Sequence, residues 1–77
     1  MPQKARNGKI REPASNLTAR EREIAILVAQ GLKNREIAER LSITEHTVKV
    51  HLSNTFAKLG VSDRLLLALW ARKVGLV

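Results

Sequence analysis

The segment 43–60 most constrains how this chain can fold, because it has the start and stop signals of one long helix. Thr44 is a good N-cap, since its hydroxyl accepts a hydrogen bond from an unpaired backbone N–H of the first turn. Gly60 suits the left-handed position just beyond the last turn. At about 100° per residue, one face of this helix collects the residues that would pack: Val48, Leu52, Thr55, Phe56 and Leu59.

The opposite face of this predicted helix is short, polar and poor in acids. Its central residues are His46, Val50, Ser53 and Ala57, with Lys49 beside them, and its flanking residues are Thr47, His51, Asn54 and Lys58. Small polar side chains favour a face that approaches a groove closely. An ordinary amphipathic helix with a solvated face has a similar pattern, so this helix alone leaves both interpretations open.

A helix-turn-helix is predicted when the preceding segment is included. Asn34 is expected to cap a short helix over residues 35–41, and Ser42 and Ile43 then leave only a tight turn before Thr44. Two helices joined by so short a turn, the second with a polar outer face, match this motif.

Two more helices are predicted at the ends of the domain. Thr18 and Glu21 form a capping box for a helix that stops at Gly31, and Glu21 and its charged neighbours are otherwise expected to be solvated. Ser62 is expected to cap the last helix, over residues 63–74. The sequence therefore predicts an all-α domain of four helices.

The first sixteen residues differ from the rest of the chain. Residues 1–16 have no apolar period, and they include Pro2, Gly8 and Pro13. Such a composition is typical of a flexible basic arm or linker, which either touches DNA phosphates or is only a tether. The folded domain is then expected to occupy residues 17–77.

The last predicted helix is apolar nearly all round. Its first stripe is Leu67, Trp70, Ala71 and Val74, and its second stripe is Leu65, Leu66 and Leu69. We expect the first stripe to face the core, because the large indole ring needs the deepest burial. The second stripe would then be exposed to solvent. Because exposed apolar patches favour association, this stripe is expected to be a dimer interface.

The basic composition favours a polyanion as the partner. The 77 residues include 14 Lys and Arg against 7 Asp and Glu, which gives a net charge of +7. In a small chain this balance most often indicates nucleic acid, although solubility alone is an alternative. Phe56 and Trp70 are the only Phe, Tyr or Trp residues, which argues against single-strand binding by base stacking.

Several other classes of site are disfavoured by what the sequence lacks. Without cysteine, there is no disulfide and no Cys-based zinc site or nucleophile, which fits a reducing cytoplasm. His46 and His51 would lie about 140° apart around the helix, so they cannot chelate one metal. No Gly-rich phosphate loop or nucleophile–base pair is present, and no apolar run reaches the roughly 20 residues of a membrane span. We expect no enzyme activity, no metal and no cofactor.

Taken together, these motifs resemble those of a known family, the LuxR-type or GerE-like DNA-binding domain of bacterial transcription regulators. The resemblance covers about residues 17–75 without a gap. The matching residues are LTARERE at 17–23, QGLKNREIA at 30–38, TVKVH at 47–51, KLGV at 58–61 and Arg64.

The resemblance implies a four-helix fold whose helix 45–59 enters the major groove of double-stranded DNA and whose last helix pairs two copies. By position, the residues implied to face bases are His46, Lys49, Val50 and Ser53, and the candidates for phosphate contact are Lys33, Asn34, Thr47, His51 and Asn54. The outward stripe of Leu65, Leu66 and Leu69 is the expected interface of this pair, and the homodimer either pre-exists or forms on DNA. RNA polymerase is a further candidate partner.

This sequence departs from the family pattern in two places. Ser53 stands where some relatives have a longer basic residue, and residues 65–67 are all Leu where polar residues and Ala are usual. Family members usually carry an N-terminal sensing domain, so the chain is either a stand-alone regulator or part of a longer one.

Two residues of the outer face have a chemical reason to read bases. Lys49 can donate to the acceptors on a guanine edge, and Val50 can contact a thymine methyl. A solvated lysine and a tolerated surface valine are the alternatives. A basic helical module that binds RNA or a protein partner is the alternative function.

Overall fold

The computed structural model describes residues 17–77, and the predicted basic arm at 1–16 lies outside them. The described part consists of four α-helices without a strand: α1 (Ala19–Ala29), α2 (Asn34–Leu41), α3 (Glu45–Leu59) and α4 (Arg64–Lys73). This confirms the predicted all-α, four-helix class and the order of its elements.

The starts of α1 and α3 and the stop of α3 agree with the sequence prediction, and α1 ends at Ala29, one residue before its predicted last residue. Thr18 Oγ1 accepts from the Glu21 backbone N–H at 3.1 Å, and Glu21 Oε1 accepts from the Thr18 N–H at 2.9 Å, which is the predicted capping box. Thr44 Oγ1 accepts from the Thr47 N–H at 3.0 Å. Gly60 ends α3 with φ of 71°, a left-handed conformation that costs glycine little.

Two predicted caps are wrong by one residue. α2 begins at Asn34 with Lys33 at the N-cap, because Glu36 Oε1 already accepts from the Lys33 N–H at 2.7 Å and closes the turn one position earlier. The cap of α4 is Asp63 rather than Ser62, since Asp63 Oδ1 accepts from the Leu66 N–H at 3.0 Å.

Each helix contributes one large aliphatic side chain that is fully buried in the core. Ile24, Ile37, Val48 and Leu67 have no exposed surface, and burying each contributes about 1.5–3 kcal/mol. α1 packs against α4 and α3, while α2 packs against α3. α1 therefore lies at the centre, and α3 is held between two neighbours.

The two stripes of α4 separate as predicted. Leu67, Trp70 and Ala71 are buried, whereas Leu65, Leu66 and Leu69 are 66%, 41% and 52% exposed. α4 therefore presents an aliphatic face to solvent. We call this set, Leu65, Leu66 and Leu69, the outer leucine patch.

Glu21 corrects one expectation. It caps α1 as predicted, but its side chain is buried rather than solvated, and Lys58 Nζ on α3 lies 2.7 Å from its Oε1. Burial by itself raises the pKa of the Glu21 carboxyl. The hydrogen bonds from Lys58 and from the Thr18 backbone, together with the charge of Lys58, outweigh this and lower the pKa below its usual value.

Candidate nucleic-acid interface

The helix-turn-helix is formed by α2, a short turn and α3. Ser42 ends α2 in the left-handed conformation, with φ of 59°, and the Ile43 N–H donates back to the Ala38 carbonyl at 3.0 Å. This bond fixes the direction in which the chain leaves α2. α3 then starts at Glu45 and turns one long face away from the core.

The residues predicted to face bases share this outward face of α3. His46, Lys49, Val50 and Ser53 are all exposed, and Val50 is 44% exposed although it is aliphatic. Their spacing places them on successive turns of one helix. The structure therefore brings the four side chains together where a large partner can reach all of them.

The amino-terminal end of α3 carries a pair of threonines. The Thr44 hydroxyl donates to Thr47 Oγ1 at 2.9 Å while it accepts from the Thr47 N–H. The Thr47 hydroxyl proton is not used in this pair, so it can be donated to an acceptor outside the domain. The positive end of the α3 dipole lies here, which favours an anion such as a phosphate.

A second group of candidate phosphate contacts lies at the start of α2. Lys33 is exposed and Asn34 is half-buried. Asn34 lines one open cleft with Lys49 and Ser53, between the beginnings of α2 and α4 and the side of α3. The α2 terminus and the outward face of α3 therefore border the same concave surface.

The remaining predicted phosphate contacts flank α3 further along. His51 is half-buried and Asn54 is exposed. His51 also has a structural part, since its carbonyl accepts a 2.8 Å hydrogen bond from the buried Thr55 hydroxyl. Lys58, which the sequence placed on the same flank, turns instead towards Glu21 on α1.

The charges of this surface are not cancelled locally. Acids pair with bases elsewhere, as in Arg20–Glu23 at 3.4 Å and Arg35–Glu39 at 3.7 Å. Within residues 17–77, neither Lys33 nor Lys49 takes part in an ion pair. Both ammonium groups therefore remain available to an anionic partner.

Sequence reasoning missed the role of one residue, Arg64. Its Nη1 donates to Asn34 Oδ1 at 2.7 Å, and its Nη2 donates to the Leu32 carbonyl at 2.6 Å. The first residue of α4 is thus joined to both sides of Lys33. The sequence offers Arg64 only as part of a family motif, because partners some thirty residues away leave no local pattern.

Other kinds of site find no support in the part of the chain that is described. Residues 17–77 contain no group of three or more His, Asp or Glu side chains that could hold a metal ion. In the same range, no helix has both the length and the apolar character that crossing a bilayer requires.

The comparisons with known proteins agree with this geometry. Residues 15–71 match the family described as bacterial regulatory proteins, luxR family. The chain belongs to this family. Its members are transcription regulators, and the matched region is their helix-turn-helix domain.

Individual LuxR-family relatives are similar over most of this chain. The transcriptional regulatory protein LiaR of Bacillus subtilis is 49% identical over 65 residues, which are 84% of this chain and 31% of that protein. The nitrate/nitrite response regulator NarL of Escherichia coli is 48% identical over 59 residues, or 77% of this chain and 27% of NarL. The chain thus spans less than a third of either relative.

A solved structure supports the same fold. The transcription factor GerE matches with a TM-score of 0.72 and 44% identity, over 80% of this chain and 92% of that one. The four-helix domain is therefore found as nearly the whole of one solved chain and as a small part of longer relatives.

Proposed function

We propose that this chain binds double-stranded DNA sequence-specifically, as the DNA-binding domain of a cytoplasmic transcription regulator, with α3 in the major groove. The observation that carries the proposal is the exposure of His46, Lys49, Val50 and Ser53 on one face of α3. A helix is of a size that the major groove admits. The helix-turn-helix presents its second helix for this purpose.

The four side chains have complementary tasks in this proposal. Lys49 donates to the N7 and O6 acceptors of a guanine, and Val50 contacts a thymine methyl. His46 and Ser53 read neighbouring base edges through hydrogen bonds. Val50 is exposed and does not contribute to the core. Contact with a thymine methyl would therefore explain why an aliphatic residue stands at this position.

Phosphate contacts would fix the position of α3 in the groove. The proposed contacts are Lys33, Asn34, Thr47, His51 and Asn54. Three of them lie along one flank of α3, and two lie at the start of α2, which borders the other flank, so together they would meet the backbone on both sides of the groove. Such contacts set the register and supply a large share of the affinity, but they carry no sequence information directly.

We also propose that α4 forms a homodimer through the outer leucine patch. These leucines are between 41% and 66% exposed in the single chain, and a two-fold pairing would cover the same patch on both copies. Two recognition helices about one turn of DNA apart, roughly 34 Å, match paired half-sites. The dimer either pre-exists or forms on DNA.

The wider context is also proposed by analogy. NarL is named a response regulator, and this chain covers only the part of such relatives that carries the family motif. We propose that it acts as the effector domain of a regulator of this kind, with residues 1–16 as the tether and RNA polymerase as a further partner.

An RNA-binding role is the second candidate, and the surface of the domain disfavours it. Phe56 is half-buried and Trp70 is buried, so neither ring offers a platform on which an unpaired base could stack. No described residue favours RNA over duplex DNA.

Equilibrium binding to duplex DNA and to structured RNA of equal length tests the proposal. We expect tighter binding to the duplex, with log affinity falling linearly as log salt rises, because Lys and Arg displace counterions from phosphates. Selection of bound sequences from random duplexes should return one enriched half-site. A flat salt response, tighter RNA binding or no enriched sequence would contradict the proposal.

A further inference from the structure

The guanidinium of Arg64 forms two short hydrogen bonds to residues on either side of Lys33. Nη1 donates to Asn34 Oδ1 at 2.7 Å and Nη2 donates to the Leu32 carbonyl at 2.6 Å. A guanidinium is a planar fork of donors with fixed geometry, so two such bonds define the orientation of both acceptors. Arg64 is half-buried at the first residue of α4.

These bonds restrain the backbone of Lys33. The Leu32 carbonyl before it is held by Arg64, and the Asn34 side chain after it is held by the same group. The Lys33 N–H itself donates to Glu36 Oε1 at 2.7 Å. The exposed ammonium of Lys33 therefore extends from a main chain that is fixed on both sides.

Arg64 also decides which way the Asn34 amide points. An arginine has only donors, so the atom that it meets must be the amide oxygen. The Nδ2 group is then the end of the amide that does not meet Arg64, and Asn34 lines a cleft together with Lys49 and Ser53. In this orientation Asn34 presents a donor, which is what a phosphate oxygen requires.

We propose that Arg64 is a positioning residue for DNA binding, acting through Lys33 and Asn34 rather than by touching DNA. The inference rests on the proposed duplex binding and adds to it a residue on α4. Two of the five guanidinium N–H groups of Arg64 donate within the protein, one to Asn34 and one to the Leu32 carbonyl. Lys33 and Asn34 supply the ammonium and the amide that meet phosphate.

The substitution Arg64→Lys tests this assignment because it keeps the charge but loses the fork. On a duplex with one half-site, we expect binding about tenfold weaker, equally for all sequences. The slope of log affinity against log salt should fall by about one, although the net charge is unchanged. Circular dichroism melts should show that the variant is folded at the assay temperature.

A double-mutant cycle separates positioning from direct contact. In a Lys33→Ala, Asn34→Ala background, Arg64→Lys should lower the duplex affinity by less than about twofold, because the side chains that Arg64 positions have been removed. Arg72→Lys, an exposed charge-preserving change on the same helix, should have no effect in either background. Equal losses in both backgrounds would mean that Arg64 contacts DNA itself, which would overturn the inference.

Two further outcomes would also overturn it. One is a lower melting temperature for Arg64→Lys with unchanged duplex binding. The other is an NMR result on the unsubstituted chain. We expect duplex DNA to shift the signals of the Asn34 side-chain amide protons and to leave those of the Arg64 guanidinium unchanged. Shifted Arg64 signals with unchanged Asn34 signals would contradict a positioning role. An unsubstituted chain that binds no duplex would overturn the proposed function, and this inference with it.

Discussion

The outward faces of α3 and α4 differ although both helices pack in the same way. Each helix buries a stripe of aliphatic side chains, with Val48 and Leu67 fully covered. Outward, α3 presents His46, Lys49 and Ser53, whereas α4 presents the outer leucine patch. Folding explains the inward faces of both helices. The difference between the outward faces is the reason why we propose two different partners, DNA for α3 and a second copy of the chain for α4.

The largest expected effect comes from placing a charge on the outer leucine patch. Leu69→Glu should leave the monomer folded, because Leu69 is 52% exposed. It should weaken cooperative binding to a duplex with two half-sites by on the order of a hundredfold, since each buried Leu contributes about 1.5–3 kcal/mol. Titrations of duplexes with one and two half-sites measure this.

The control for that experiment lies on the inward face of α4. Leu67→Ala removes a fully buried side chain and should lower the free energy of unfolding by about 2–5 kcal/mol. Normal binding of Leu69→Glu to both duplexes would exclude α4 as the dimer surface. Unfolding of Leu69→Glu would contradict the division of α4 into two faces.

A smaller effect should distinguish base contact from phosphate contact on the α3 side. Lys49→Ala should relax the preference at one base position, at a cost of about 1–3 kcal/mol. Lys33→Ala should weaken all sequences alike and lower the salt slope by about one. Binding to a panel of single-base variants of the selected site measures both. A uniform loss for Lys49→Ala would make Lys49 a phosphate contact.

The smallest expected effect concerns the attachment of α3 to α1. The pKa of Glu21 is lowered in the folded state, so its stabilising contribution is present above the unfolded-state value of about 4.3. That contribution is lost as pH falls through the folded-state pKa. Glu21→Gln should therefore be less stable at neutral pH by about 1–2 kcal/mol, a moderate figure because Lys58 is 34% exposed.

Denaturant unfolding at several pH values checks this prediction. The difference in unfolding free energy between Glu21→Gln and the unsubstituted chain should shrink as pH falls below about 4. Glu23→Gln is a matched control on the same helix, since the ion pair of Glu23 with Arg20 is exposed at the surface and should contribute little. If the difference in unfolding free energy between Glu21→Gln and the unsubstituted chain stays constant down to low pH, the ionised Glu21–Lys58 pair is not its cause.

Much of the fold follows from local signals in the sequence. The capping box of Thr18 and the stop at Gly60 were predictable because each depends on neighbours within one turn. The exposed face of α3 was predictable from helical spacing alone. The assignment of its residues to bases and phosphates came from the family resemblance, and it stays a prediction.

The parts that sequence reasoning missed depend on partners distant in the chain. Glu21 is buried because Lys58, 37 residues away, neutralises it. The amide oxygen of Asn34, expected to cap α2, instead accepts from Arg64, 30 residues away. Neither contact has a local signature, so only the folded geometry reveals them.

The long sequence separation of these two contacts has a consequence for the order of folding. The capping hydrogen bonds close over three residues, so each helix can start to form alone, whereas the Lys58–Glu21 and Arg64–Asn34 contacts require all the intervening chain to be in place. We expect both contacts to form after the transition state. Glu21→Gln and Arg64→Lys should then accelerate unfolding in stopped-flow measurements and leave the refolding rate nearly unchanged.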